Sequence, residues 1–203
     1  MDEKKAIKQL MAIKGMAKEL RLAADGWDED WKTLIATLMS ARTTDMKTIP
    51  VAGALFSRYR NLRELSGANL SEVGGIIRGV NFYKTKAKHI IKLAKILVDD
   101  YSGKVPHDFA KLVELPGVGR KTANVFLAEH GYATIGVDTH LSYCAQRLGW
   151  SKNRSPGKIE EDLKSLFPKH YWGKLNWIVV RFGQTYRNKK EKNALLDKIR
   201  RIK

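Results

Sequence analysis

One cysteine, Cys144, is all that this 203-residue chain contains. A disulfide needs two cysteines and a cysteine-built metal site needs more, so neither can form within the chain. Cys144 lies in Leu141-Ser142-Tyr143-Cys144-Ala145, an apolar helical stretch that suits a small buried hydrophobe better than a nucleophile. Acidic side chains are the minority: 21 Asp and Glu face 38 Lys and Arg, a formal net charge of +17. A surplus of that size favours a polyanionic partner. No apolar run approaches the ~20 residues of a membrane-spanning helix, and the N-terminus lacks a secretory pattern. The expectation is an intracellular protein, cytoplasmic or nucleoid-associated and monomeric, whose partner is nucleic acid and not a membrane.

Convincing strands are missing too. Tyr132 to Val137 is the nearest candidate, and it is too short to build a sheet. No internal repeat or low-complexity linker breaks the chain. Helical periodicity fills the space: Trp31, Leu34, Ile35 and Leu38 share one face, with Asp28 placed to cap their helix. Val73, Ile76, Ile77 and Val80 repeat the pattern, as do Ala87, Ile90, Ile91 and Ala94. Ser155-Pro156 marks a helix start with proline at the first helical position, followed by Ile159, Leu163 and Leu166. Leu175, Ile178, Val179 and Phe182 form a further stripe. The fold class is all-α, long enough for one large or two small cores. Trp27, Trp31, Trp150, Trp172 and Trp177 are expected in those cores.

The most informative residues run from 115 to 139. Leu115-Pro116-Gly117-Val118-Gly119 reads as a hairpin between two helices, followed at once by Arg120 and Lys121. Glycines at 117 and 119 let the backbone turn and approach a ligand without a side chain between them. Amides freed at the next helix start, helped by the dipole, suit an anion such as a DNA phosphate. Asp138 follows, in Val137-Asp138-Thr139-His140. Taken alone, these residues leave a phosphate contact open for Lys121 and a helix N-cap open for Asp138.

The run from Leu115 to Val125, together with Val137 to His140, resembles the helix-hairpin-helix DNA glycosylases, and most closely their endonuclease III group. Leu38 to Asp45 and Phe82-Tyr83-Lys84-Thr85-Lys86-Ala87 resemble two further segments of that family. The likeness extends from about residue 30 to about residue 185. It implies a six-helix barrel domain over 24–132. A second helical domain would combine 1–23 with 133–203, and a cleft between the two would hold Lys121 and Asp138.

The resemblance also assigns chemistry. A lysine attacks only as the neutral amine, and a helix start beside Arg120 opposes a further positive charge. Lys121 would displace the damaged base and form a Schiff base, after which β-elimination nicks the strand. Asp138 would stabilise positive charge on the sugar and assist proton transfer. Arg42 stands where the family often has a gap-filling glutamine, and Phe82 where it has an apolar wedge. Asn81 replaces a glycine there, and asparagine tolerates a left-handed backbone. Phe82 could equally be a core aromatic. Lys84, Lys86 and Lys88 fit phosphate contacts or a solvated face, and His140 joins the expected DNA contacts with the hairpin residues.

Many relatives bind a [4Fe–4S] cluster through four cysteines near the C-terminus. Here that region reads Gln184-Thr185-Tyr186-Arg187-Asn188, so no such cofactor is expected, although the hairpin could hold a monovalent cation. The last segment, Arg187 to Lys203, carries eight basic residues against two acids, Glu191 and Asp197. The leading expectation is a bifunctional glycosylase and AP lyase for oxidised pyrimidines in double-stranded DNA. The alternatives are a glycosylase for alkylated or mismatched bases, and a non-catalytic DNA-binding module.

Overall fold

Polar side chains that accept the first free amides of a helix mark where several helices begin. The computed structural model describes residues 2–202. In it Asp2, Asn61, Asn69, Asp108, Asp138 and Asn188 each take a backbone N–H from the turn that follows. The first six helices are α1 (Glu3–Met16), α2 (Asp30–Ser40), α3 (Asp45–Arg58), α4 (Leu62–Ser66), α5 (Leu70–Ile76) and α6 (Tyr83–Tyr101). They are followed by α7 (Phe109–Glu114), α8 (Arg120–Glu129), α9 (Thr139–Leu148), α10 (Pro156–Leu166), α11 (Trp172–Thr185) and α12 (Lys189–Arg200). Among the described residues there is no strand, and Tyr132–Val137 is irregular. The all-α expectation holds. No helix among them is long and apolar enough to cross a membrane.

The polypeptide divides into two compact units, Arg21–Leu127 and Met1–Leu20 with Ala128–Lys203. Each has its own apolar core. In the first, α4 and α5 lie on α6, and α2 lies on α3 and α6. Trp31, Leu34, Leu55, Ile90, Leu97 and Phe126 are among the side chains sealed between them. In the second, α1 packs on α11, and α9 packs on both α11 and α12. Leu10, Leu141, Ile159, Leu175, Phe182, Leu196 and Ile199 fill that core.

One buried amide joins the ends of the second unit. The Gln9 carbonyl accepts from Trp150 Nε1 at 2.7 Å, and its Nε2 donates to Ile199 O and Arg200 O, both at 3.4 Å. Those two carbonyls lie at the end of α12, where helical partners run out.

Most apolar stripes land where their spacing puts them. Ala87, Ile90 and Ala94 are buried on α6, Ile159 and Leu163 on α10, and Leu175, Ile178, Val179 and Phe182 on α11. Pro156 opens α10 as expected. Trp31 and Trp150 are buried and the other three tryptophans half-buried, so all five belong to packing. Two expectations need correcting. Glu29, not Asp28, occupies the N-cap of α2, while Asp28 pairs with Lys32 at 2.8 Å. The stripe from Val73 to Val80 is helical only to Ile76. Gly74 and Gly75 lower the helix preference there, and Ile77 and Val80 are buried from the turns that follow.

Candidate active site

Leu115 ends α7, and Val118 N–H donates to Leu115 O at 3.1 Å to close the hairpin. Proline in second place and Gly117 in third, at φ +78, give this turn the signature of type II, which needs a left-handed residue there. Packing requires the same glycine. A Cβ on Gly117 would lie 2.8 Å from His89 Nδ1 and 2.9 Å from Leu38 Cδ1. The Leu115 and Val118 side chains are buried in the core, so from these residues only backbone can meet a ligand.

Gly119 differs. It faces open space, with nothing within 4 Å of where its Cβ would stand. Its amide and that of Lys121 find no backbone acceptor, and α8 starts at Arg120 with its dipole behind them. Arg120 is exposed, its guanidinium 5.2 Å over the Phe109 ring. Lys121 lies in the first turn of α8, half-buried, and its ammonium has no hydrogen-bond or ion-pair partner among the described residues.

Asp138 belongs to the other unit. It is the N-cap of α9, and its Oδ1 accepts the Leu141 N–H at 2.8 Å. The cap and a charge-stabilising role are compatible, because one oxygen fixes the carboxylate and leaves the other available. Two residues that the sequence did not single out support this corner. Buried Asn176 donates to Gly136 O at 2.5 Å and so holds the segment leading into Asp138. Gly183 on α11 makes room for half-buried His140, whose Nδ1 lies 2.1 Å from where a Cβ at 183 would stand. Cys144, further along α9, is buried as expected, and burial pushes its thiol up to about 12. Lys192 opposes that shift and Asp138 adds to it.

A third cluster lies in the first unit. Arg42 and Phe82 are both exposed and both left-handed, at φ 56 and φ 58. For side chains larger than glycine that conformation costs roughly 1 kcal/mol or more. Phe82 is 60% exposed, which removes the core reading. The Arg42 guanidinium sits 5.5 Å over its ring. Asn81 does not take the left-handed conformation expected of it; Phe82 takes it instead. Asn81 serves as a tie, donating from Nδ2 to Arg42 O at 2.5 Å and from its backbone N–H to Thr43 Oγ1 at 3.1 Å.

Lys84 and Lys88 are exposed, as a phosphate contact requires. Lys86 contradicts both readings given to it. It is buried, 6% exposed, and burial pushes its ammonium down to about 8. Its Nζ donates to Met39 O at 2.6 Å, Ala41 O at 2.8 Å and Thr43 Oγ1 at 3.2 Å. Neither solvent nor phosphate is its partner. The sequence held a signal for this: Lys86 lies four residues before Ile90 on the face that buries Leu93 and Leu97.

Thus the first unit brings Arg42, Asn81, Phe82 and Lys86 together, and sets the hairpin and Lys121 on α7 and α8. Asp138 and His140 stand at the start of α9 in the second. A family model described as HhH-GPD superfamily base excision DNA repair protein matches residues 35–169. Endonuclease III of Thermotoga maritima is 40% identical over 157 residues, 77% of this chain and 74% of that protein. Endonuclease III of Bacillus subtilis is 36% identical over 156 residues, 76% and 71% of the two chains. Among solved structures, a trapped endonuclease III–DNA covalent intermediate with an estranged adenine matches with a TM-score of 0.85. Its identity is 31%, and the match covers 94% of this chain and 90% of the other.

Proposed function

The chain belongs to the HhH-GPD superfamily of base excision DNA repair proteins, and we infer that it is a DNA glycosylase with AP lyase activity. Its substrates are duplexes that carry oxidised pyrimidines. The observation that carries this reading is the unpaired amine of Lys121 in the first turn beyond a glycine hairpin. The hairpin amides and Arg120 bind a phosphate of the damaged strand. Neutral Lys121 Nζ attacks C1′ of the damaged nucleotide, and the bond from C1′ to the base breaks as the base takes up a proton. Asp138 stabilises the positive charge that develops on the sugar. The C1′–O4′ bond then opens as O4′ takes up a proton, giving the Schiff base; this acidifies C2′, and loss of its proton expels the 3′ phosphate and nicks the strand. Water then releases Lys121. Arg42 and Phe82 occupy the space that the extruded nucleotide leaves.

Borohydride reduction of the Schiff base tests this directly. Wild-type protein should give a covalent adduct on duplexes with thymine glycol or an abasic site, and none on an alkylated base. Lys121→Gln should give neither adduct nor nick, while its abasic-site affinity stays within about tenfold. Adducts formed by the variant at the wild-type rate would remove Lys121 from the mechanism.

The family's iron–sulfur cluster does not fit these residues. A [4Fe–4S] cluster needs four ligands of thiolate type, and the single cysteine is sealed in the second core with its thiol held protonated. The chain fastens its last segment by other means. Leu196 and Ile199 of α12 are buried, Asp197 pairs with Arg147 at 2.6 Å, and Tyr143 donates to Asn193. Purified protein should therefore contain no iron by elemental analysis, lack absorbance at about 400 nm, and be fully active. Activity that depends on added iron would overturn this.

A further inference from the structure

Helix α2 stops at Ser40, and its last carbonyls need partners from elsewhere. Thr43 N–H takes Ser40 O at 2.9 Å. Met39 O goes to Lys86, which reaches it from the first turns of α6 and spends its other two donors on Ala41 O and Thr43 Oγ1. An ammonium has three donors, so none remains for a ligand. Asn81 adds its two hydrogen bonds to Arg42 O and Thr43 Oγ1. Five hydrogen bonds from Lys86 and Asn81 thus land on residues 39–43.

The tied segments carry Arg42 and Phe82. Among the described residues only these two and Ser102 take a left-handed backbone without being glycine, and Ser102 merely caps α6. A surface phosphate contact would not need a buried amine. A buried amine bonded to the Met39 and Ala41 carbonyls before Arg42 and to the Thr43 hydroxyl after it, one turn from Phe82, sets where both exposed side chains point.

We propose that Lys86 is a positioning residue: its ammonium locks the Arg42 and Phe82 segments into one preformed pair, which enters the base stack as the damaged nucleotide leaves it. The proposal rests on the glycosylase reading above. Lys86 touches neither DNA nor the reacting sugar, and it acts only through the pair.

Lys86→Met keeps the aliphatic stem and removes the three donors. An abasic nucleotide in a duplex must still leave the stack before Lys121 can reach it, whereas one in a single strand need not. Single-turnover nicking of a duplex abasic site should fall about tenfold or more beyond any loss on the single-stranded site. Fluorescence of 2-aminopurine beside the duplex site should fail to rise on binding. Phe82→Ala should show the same selective loss. Combining it with Lys86→Met should add no more than about twofold, since residues acting through one device are not additive.

Equal losses on the two substrates, or losses that multiply in the double variant, would overturn the proposal. If Lys86→Met loses its helical circular dichroism, Asn81→Ala gives the same test, because it loosens the same segments and leaves the buried ammonium paired. Wild-type protein that nicks neither substrate would overturn the lyase reading, and this proposal with it. Active wild type with multiplying losses would overturn the clamp alone.

Discussion

Gly117 and Phe82 share a left-handed backbone, at φ 78 and φ 58, and reach it on different terms. At the hairpin only the main chain is wanted. Glycine adopts the conformation without strain, and its missing Cβ also lets His89 and Leu38 close in. At the second place large exposed side chains take the same conformation, and on the proposed function their display is what excludes glycine. There the strain of Arg42 and Phe82 is offset by hydrogen bonds from Lys86 and Asn81. Where the main chain turns through glycine, the sequence simplifies; where large side chains take the same backbone, a supporting shell of hydrogen bonds stands behind them.

The largest expected effect separates chemistry from display. Lys121→Gln should abolish nicking of abasic DNA in both single and double strands, whereas Arg42→Gly should impair the duplex reaction selectively. A single-strand reaction lost equally in both variants would merge the two regions into one functional unit.

Next in size is stability. Gly117→Ala should destabilise the protein by about 2 kcal/mol or more in urea unfolding, from the left-handed penalty and the clash together. Phe82→Gly should cost no stability, and relief of strain should make it neutral or stabilising by up to roughly 1 kcal/mol. A large loss in Phe82→Gly would show that the aromatic ring is structural. Gly119→Ala divides the hairpin itself. Its side chain enters open space, so stability should change by less than about 0.5 kcal/mol. Affinity for every duplex should nevertheless weaken by about tenfold, because the methyl group stands between amides and phosphate. A loss confined to one lesion would place Gly119 in the base pocket.

The smallest effect is a pH dependence of the clamp. Burial pushes the Lys86 ammonium down to about 8 in the folded protein, against 10.5 for an ordinary lysine. Between those values the unfolded chain binds more protons, so this residue's contribution to stability rises with pH. Below about 8 both states are protonated and the gain is lost. Wild type should therefore gain on Lys86→Met as the pH of urea unfolding is raised from about 8 towards about 10. A difference that stays flat over that range would mean that the amine is not desolvated.

Local rules made much of this legible. The stripes of α6, α10 and α11 follow from residues three and four apart, and Pro156 announces its helix. Lys121 and Asp138 stand out because a glycine hairpin and a following aspartate form a pattern within 24 residues, from Leu115 to Asp138. Contacts made over long distances could not be read in that way. Lys-Thr-Lys-Ala-Lys looks like an exposed basic face until the carbonyls at Met39 and Ala41 are seen to lie over its middle member. Gly183 reads as an ordinary helical glycine until His140 is found against it. Asn81 has the right chemistry for a left-handed residue, yet the neighbouring phenylalanine takes that conformation while Asn81 ties the turn to Arg42 and Thr43.

Gln9 has a consequence for the order in which the chain is made. Its amide waits for α12, whose Ile199 carbonyl lies 190 residues further on. The Arg21–Leu127 unit is one uninterrupted stretch, and a domain of that kind generally folds as a unit while synthesis continues. Helix α1, by contrast, is made before that stretch and packs on helices made after it. Until α11 and α12 have been translated, Ala6, Leu10 and Ile13 have no core to enter. Helix α1 thus keeps an uncovered apolar face while the Arg21–Leu127 unit is being made.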